Sequence, residues 1–283
     1  MDNSVTTVSI SKTIAAIVCI ALAGFTAMSK AEDAAVDSEP GAAITAQQRG
    51  LEIAEEADRR ASGYGDSEET LTMTLRDKRG KQRTRTLRLR SLEQADDGDW
   101  SLTIFDQPAD VKGTALLTYS HGLEPDDQWI FLPALKRVKR ISSRNKSGPF
   151  MGSEFAFEDL SSFELEKYHY TYLRDEACGE LQCTVSEWIP AYEHSGYSRM
   201  EVWHDQSEYR SHRIEFYDRN GKHLKTLLMD EYRLFEQRFW RPMHWQMTNH
   251  KTGKVTLLDY DSIEFGMGFT SRDFDQNSLK SAK

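Results

Sequence analysis

Cysteine is scarce in this chain, and its placement matters more than its number. Of the three present, Cys19 lies inside an apolar run, and only Cys178 and Cys183 fall in the body of the sequence, which excludes a small disulfide-built scaffold. Long apolar runs are also lacking. The most apolar stretch, Thr13 to Ala27, is about 15 residues against the roughly 20 that a membrane-spanning helix needs. Basic excess is absent, since the formal net charge is −9, and an acidic chain without a dense basic surface is unsuited to general nucleic-acid binding. There is no Gly-x-Ser-x-Gly elbow, no Gly-rich phosphate loop and no His-Glu-x-x-His helix, the local signatures of several hydrolase, nucleotide and metal chemistries. His244 and His250 would sit roughly 20 Å apart on a strand, too far to share one metal, and the neighbours His204 and Asp205 would point to opposite faces. No catalytic residue, metal ligand or cofactor is therefore assigned, and the chain reads as a non-enzyme.

The beginning of the chain carries an address. A short polar start with Lys12 leads into the apolar run, and Ser29-Lys30-Ala31 supplies small residues where a signal peptidase reads. Residues 1–31 are expected to be a secretory signal cleaved after Ala31. An uncleaved anchor fits less well because the basic flank is thin. Cys19 lacks the small preceding residue of a lipid-modified cysteine, so a soluble, non-lipidated periplasmic product is expected. Residues 32–43 read as a flexible mature N-terminus and residues 44–283 as a single domain, with no repeat or low-complexity linker behind Gly41.

The pattern of that domain is one helix followed by strands. Ile44 to Ser62 is rich in helix formers, with Ile44, Leu51, Ala54, Ala57 and Ala61 as a weak apolar stripe. Leu71, Met73 and Leu75 then alternate with threonines, Arg79-Gly80 turns the chain, and Leu87 and Leu89 alternate with arginines, which predicts a hairpin. Alternation continues through 100–105, 114–120, 128–132, 137–141, 168–174, 184–190, 197–204, 210–217, 223–232, 243–249 and 255–262. Asp97-Gly98, Asn220-Gly221 and Thr252-Gly253 supply turns. The fold expected is mainly β with some helix (α+β), a long antiparallel meander that curls. An outer-membrane barrel would also alternate. Here the face opposite the apolar row carries Arg, Lys and Glu, where a lipid-facing band must be apolar. Cys178 and Cys183 flank Gly179-Glu-Leu-Gln182 and are expected to pair across a hairpin, since Cys-x-x-Cys redox spacing is missing.

The densest information lies in Trp129-Ile-Phe-Leu-Pro-Ala-Leu-Lys-Arg-Val-Lys-Arg-Ile141 and Phe150-Met-Gly-Ser-Glu-Phe-Ala-Phe-Glu-Asp-Leu160. These motifs resemble those of the LolA-like outer membrane lipoprotein-sorting proteins, with the resemblance running from about Gln47 to about Phe274. It implies an incomplete β-barrel with helical lid elements, a lipid or acylated protein as ligand, and a large inner-membrane exporter of the resistance-nodulation-division type as a handover partner.

Within such a curled sheet, Trp129, Phe131, Trp203, Phe216, Met243, Trp245 and Met247 are candidates for the enclosed side, either lining a ligand cavity or filling plain core. Phe150, Met151, Phe155 and Phe157 sit on a Gly/Ser-containing segment that could be a mobile flap over an acyl-chain pocket or a fixed loop capping the barrel end. Lys136, Arg137, Lys139 and Arg140 suit a lipid headgroup, an acidic partner or transient contact with a membrane surface, and equally suit a solvated edge strand. The reading is a monomeric periplasmic carrier or chaperone of a hydrophobic ligand. A sensor of mislocalised lipid or lipoprotein built on the same fold is the alternative. Protein recovered from the periplasm under denaturing, non-reducing conditions is expected to show no free thiol, and quantitative thiol labelling of Cys178 and Cys183 would refute the pairing.

Overall fold

In the computed structural model, which describes residues 44–281, the expected alternation becomes a sequence of strands bracketed by two helices. In chain order these are α1 (Ala46–Ala61), β1 (Asp66–Arg76), β2 (Gln82–Leu92), β3 (Trp100–Gln107), β4 (Ala115–Tyr119), β5 (Asp127–Leu132), β6 (Arg137–Ile141), β7 (Tyr168–Cys178), β8 (Leu181–Pro190), β9 (Tyr197–Asp205), β10 (Ser211–Asp218), β11 (His223–Asp230), β12 (Arg233–Phe235), β13 (Phe239–Arg241), β14 (His244–Asn249), β15 (Val255–Phe265) and α2 (Gln276–Ser281). The expected signal peptide, residues 1–31, and the N-terminal stretch 32–43 lie outside the described residues.

Thirteen of the strands form one antiparallel sheet in the order β6-β5-β4-β3-β2-β1-β15-β14-β11-β10-β9-β8-β7. It is two meanders fused where β1 pairs with β15, from Ser67 opposite Phe265 to Arg76 opposite Val255. β6 and β7 remain at the edges, so the sheet curls without closing into a barrel. A bulge between Thr70 and Leu71 in the central pair is the kind of irregularity that bends a strand and sharpens its twist. The short β12–β13 hairpin was not legible in the alternation, because three-residue strands carry almost none.

One face of the curl holds the main core. Leu71 and Met73 of β1, Leu87 of β2 and Leu258 of β15 point into it, joined by Val202, Phe216, Leu227 and Met247. The other face is covered locally. Leu102 and Ile104 of β3 and Leu117 of β4 pack beneath Phe274 and Leu279 of the C-terminal segment, with Trp129, Phe131 and Val138 against them. β4 is consequently buried on both faces, and its Ala-Leu-Leu-Thr run loses the alternation of a one-sided strand.

α1 begins at a capping box in which Thr45 Oγ1 accepts from Gln48 N–H and Gln48 Oε1 accepts from Thr45 N–H. Its buried side is Gly50, Ile53 and Ala54, whereas Ile44 and Leu51 of the expected stripe are 61% and 40% exposed. The helix lies so close to β7 that a Cβ at residue 50 would stand 2.7 Å from the Tyr172 nitrogen. Glycine is the closest point of that contact, with Ile53 and Ala54 on the same buried side.

The segment between β6 and β7 is a plug built into the main core. Phe150 and Phe155 are 1% and 2% exposed, and Phe150 N–H donates to the Phe155 carbonyl at 2.8 Å. Glu154 N–H donates to Thr256 Oγ1 of β15 at 2.9 Å, Asn249 Nδ2 donates to the Glu154 carboxylate at 2.7 Å, and Arg85 donates to the Met151 carbonyl at 2.7 Å. Of the two readings of this segment, the fixed cap is the one its anchorage matches. The residues beside Gly152 are tied to β2, β14 and β15. Truncating a buried aromatic in such a setting removes transfer energy and leaves a void, so Phe150→Ala is expected to lower unfolding free energy by about 3–5 kcal/mol in a denaturant titration.

Candidate functional site

A cavity of about 1030 Å³ lies on the concave face over the C-terminal meander. Register builds its wall. Trp188 of β8 stands opposite Met200 of β9, which stands opposite Phe216 of β10; Leu227 of β11 pairs with Met247 of β14, and Met229 pairs with Trp245. All line the cavity, as does Ile214. The C-terminal turn of α1, Phe155 of the plug, and Trp240 and Arg241 of the β12–β13 hairpin contribute the facing wall. The helix end is held by that hairpin: Arg238 donates to the Ser62 carbonyl and Arg241 to the Ala61 carbonyl, both at 3.0 Å. Cations there also suit the negative end of the helix dipole.

Of the residues expected on the enclosed side, Phe155, Phe216, Trp245 and Met247 stand on this wall. Phe150 and Phe157 meet edge to face at 5.6 Å in the core beneath the plug. Met151 sits half-buried at its turn, and Met243 is buried at the entry to β14. Trp129 and Phe131 face the opposite side, under the C-terminal segment. Trp203 also lies outside the cavity, packed on Cys183 and Val185, with its indole N–H donating to Glu176 at 2.6 Å. The reason is parity: on β9, Met200, Val202 and His204 point inward, so Trp203 between them points outward. Trp188, Met200, Ile214, Leu227 and Met229 were missed, although the same parity, counted from a correctly assigned neighbour, identifies them.

The disulfide between Cys178 and Cys183 is present, with Cα atoms 5.8 Å apart. Strands β7 and β8 run further than expected, to a two-residue turn at Gly179-Glu180. The cysteines therefore lie diagonally, Cys178 opposite Leu181 and Glu176 opposite Cys183. Lys136, Arg137, Lys139 and Arg140 are exposed on and beside edge strand β6, and Arg140 pairs with Asp127 of β5. Lys146, in the loop beyond β6, is buried in a different setting.

Polar groups form a layer where the plug meets the cavity. Asp126 binds Lys167 at 2.9 Å and Lys146 at 3.3 Å, and all three are nearly inaccessible. Burial opposes ionisation of Asp126, yet Lys167 and Lys146 outweigh it and hold its carboxyl below the ordinary value. Asp159 binds Lys225 of β11 at 2.5 Å and accepts from Tyr197 Oη at 2.7 Å. Glu158 accepts from Gly196 N–H at 2.9 Å and from Ser195 Oγ at 3.0 Å. Burial, together with the charge of Asp159, pushes it up to about 7. The Glu-Asp-Leu end of the motif is thus the clasp of the plug. His204, stacked on Trp188, is pushed down to about 4 by burial and is neutral. Asp205 stays ionised against its own burial because His212, Ser207 and Arg210 all donate to it.

Among the described residues, no group of three or more His, Cys, Asp or Glu side chains is placed to hold a metal ion, and no helix is long and apolar enough to cross a membrane. An open antiparallel curl with a partly open, largely apolar cavity on its concave face defines a half-barrel of the LolA type. Solved structures share it. An outer membrane lipoprotein-sorting protein domain from Vibrio parahaemolyticus is 52% identical, with a TM-score of 0.81, over 83% of this chain and 99% of its own. A DUF1329 family protein from Desulfovibrio piger is 26% identical, with a TM-score of 0.79, over 83% and 99%. A LolA superfamily protein from Nitrosomonas europaea shares the fold at 22% identity, with a TM-score of 0.67, over 83% and 100%. A family model described only as an uncharacterized protein matches residues 97–281, and no curated protein matches significantly. The chain belongs to the family of LolA-like outer membrane lipoprotein-sorting proteins.

The clasp makes stability depend on pH. With its folded value at about 7 against 4.5 when free, Glu158 binds more protons in the folded state between those values. Its contribution is complete below about pH 4.5 and is lost as pH rises through 7. Glu158→Gln, which keeps an acceptor and carries no charge, is expected to fall less in melting temperature between pH 5 and pH 8 than the natural protein. Equal falls would show that Glu158 is not the titrating group.

Proposed function

We propose that this protein is a periplasmic carrier or chaperone that holds a lipid, or the acyl chain of a lipoprotein, in the half-barrel cavity. The observation that carries this reading is the register-built apolar wall, Met200 to Phe216 and Leu227 to Met247, which borders a partly open cavity of about 1030 Å³. Natural cores close such space to native density, and a cavity of this size is at the upper end for small-molecule sites. Each methylene withdrawn from water contributes about 0.8 kcal/mol, so a soluble carrier must offer an acyl chain a surface comparable to the bilayer it leaves. The similar protein from Vibrio parahaemolyticus is described as a lipoprotein-sorting domain, which agrees with this use.

In this reading residues 1–31 are removed on export and residues 44–283 work as one monomeric domain, by binding and without chemistry. Phe155, Phe216, Trp245 and Met247 contact the chain of the ligand. The cationic edge at Lys136, Arg137 and Lys139 meets an inner-membrane exporter of the resistance-nodulation-division type, which takes or delivers the ligand.

Native mass spectrometry of periplasm-derived protein, followed by lipid extraction, identifies the cargo. Titration with a fluorescent fatty acid tests the site. Ile214→Trp, which fills the cavity from a half-buried wall position, is expected to weaken binding roughly tenfold, the effect of about 1.4 kcal/mol. Trp203→Phe on the outer face should leave binding unchanged. Absence of both bound lipid and fatty-acid affinity in the natural protein would reject the carrier reading.

A further inference from the structure

The connections of the sheet alternate between its two ends, and at one of them basic side chains cluster on adjacent turns. At one end the β1–β2, β14–β15 and β10–β11 turns lie side by side, because β1 pairs with β15 and β14 pairs with β11. A Cβ at residue 253 would stand 3.5 Å from the Lys78 Cβ, which puts the first two turns in contact. The charge of Lys251 reaches Asp218 on the third. Together these turns present Lys78, Arg79, Lys81, Lys222, Lys251 and Lys254, all exposed. None of the six is ion-paired with a described residue, whereas Arg88, Arg90 and Arg199 on the sheet faces pair with Asp106, Glu68 and Glu201. The two acids of the turns are occupied by backbone. Asp77 accepts from the amides of Arg79 and Lys81, and Asp218 from those of Asn220 and Lys222.

Acidic side chains gather on part of the opposite end, where the β2–β3 connection carries Glu93, Asp96, Asp97 and Asp99 with no cation and the β4–β5 connection carries Glu124, beside Arg233, Arg238 and Arg241 of the β12–β13 hairpin. That end also holds residues of the cavity wall, Asp99, Leu123 and Tyr209 among them.

We propose that the basic row of turns is a docking surface for the anionic phospholipid headgroups of a bilayer. Charge complementarity selects the sign of the partner, and the layout selects its kind. Six strands at about 4.8 Å spacing spread the charges over roughly 24 Å, on short turns with long flexible stems and no groove between them. Such a row fits a flat, laterally mobile layer of phosphates better than one folded peptide. At the same end of the sheet the β5–β6 turn holds out Leu135, 64% exposed, beside Lys136, an apolar residue able to enter the headgroup layer. Docked in this way, the opposite end and its cavity-wall residues point away from the membrane. This inference does not depend on what the cavity holds.

The test is co-sedimentation of the purified protein with vesicles. The net charge of −9 by itself predicts repulsion from anionic lipid, so binding to phosphatidylglycerol-rich vesicles and not to pure phosphatidylcholine vesicles is the expected and diagnostic result. The triple variant Lys78→Glu, Lys251→Glu, Lys254→Glu should partition at least roughly tenfold less, given about fivefold for each basic residue near an anionic leaflet. Its melting temperature and fatty-acid affinity should match those of the natural protein. Added salt should reproduce the loss, since exposed charges are screened over about 10 Å at 0.1 M. Failure of the natural protein to bind anionic vesicles, equal binding to both vesicle types, or undiminished binding by the triple variant would overturn the proposal.

Discussion

Everything in this molecule hangs on the pairing of its first strand with its last. β1 and β15 join along nearly their whole length, although almost the entire described chain separates them. Without that seam the two meanders are separate ribbons with four free edges. With it they are one curled surface with two, and the concave side can enclose something. Such a contact closes a very long loop before it returns any energy, which places it among the slow, non-local events of folding. The seam also explains why α1 and the β12–β13 hairpin meet: α1 leads into β1, the hairpin lies shortly before β15, and the pairing brings Arg238 and Arg241 onto the carbonyls at the helix end.

The cavity has two unlike walls. The plug is fastened by ion pairs that water hardly reaches, Asp126 with Lys146 and Lys167, and Asp159 with Lys225. A buried pair of this kind need not add net stability, but losing one member strands the other charge, so the arrangement enforces position. The helix and hairpin are held by apolar packing, Ile53 and Ala54 against the sheet and Phe239 against Tyr64 and Phe265, with arginine-to-carbonyl hydrogen bonds between them at exposed sites, where water competes and each bond contributes little net energy.

The sequence and the structure agree most where one physical rule acts alone. Strand alternation located the long strands of the sheet within a few residues, since period two is imposed by the pleat itself. The spacing of Cys178 and Cys183 sufficed for the disulfide because the bridge spans a single turn. Agreement fails where a second layer intervenes. Trp129 and Phe131 belong to a strand whose outer face is covered by Phe274 and Leu279, and no local pattern announces a segment arriving from over a hundred residues away. Lys146, a cation in the loop beyond β6, is buried against Asp126 of the β4–β5 connection for the same reason. α1 shows the converse, with Gly50 as its contact point because the helix approaches the backbone of β7 too closely for anything larger.

The sequence by itself determined the class of the chain: an acidic, mainly β protein with one small disulfide and a motif shared with the lipoprotein-sorting family. These follow from composition, period and short-range spacing, which are properties of neighbours along the chain. Only the tertiary structure decided which aromatics face the cavity, that the Phe-Met-Gly-Ser segment is a plug, and that lysines scattered from Lys78 to Lys254 stand in one row on adjacent turns. Each of those depends on which strands pair and in what register. That is settled by the burial of whole faces against one another, and no window of sequence contains both faces.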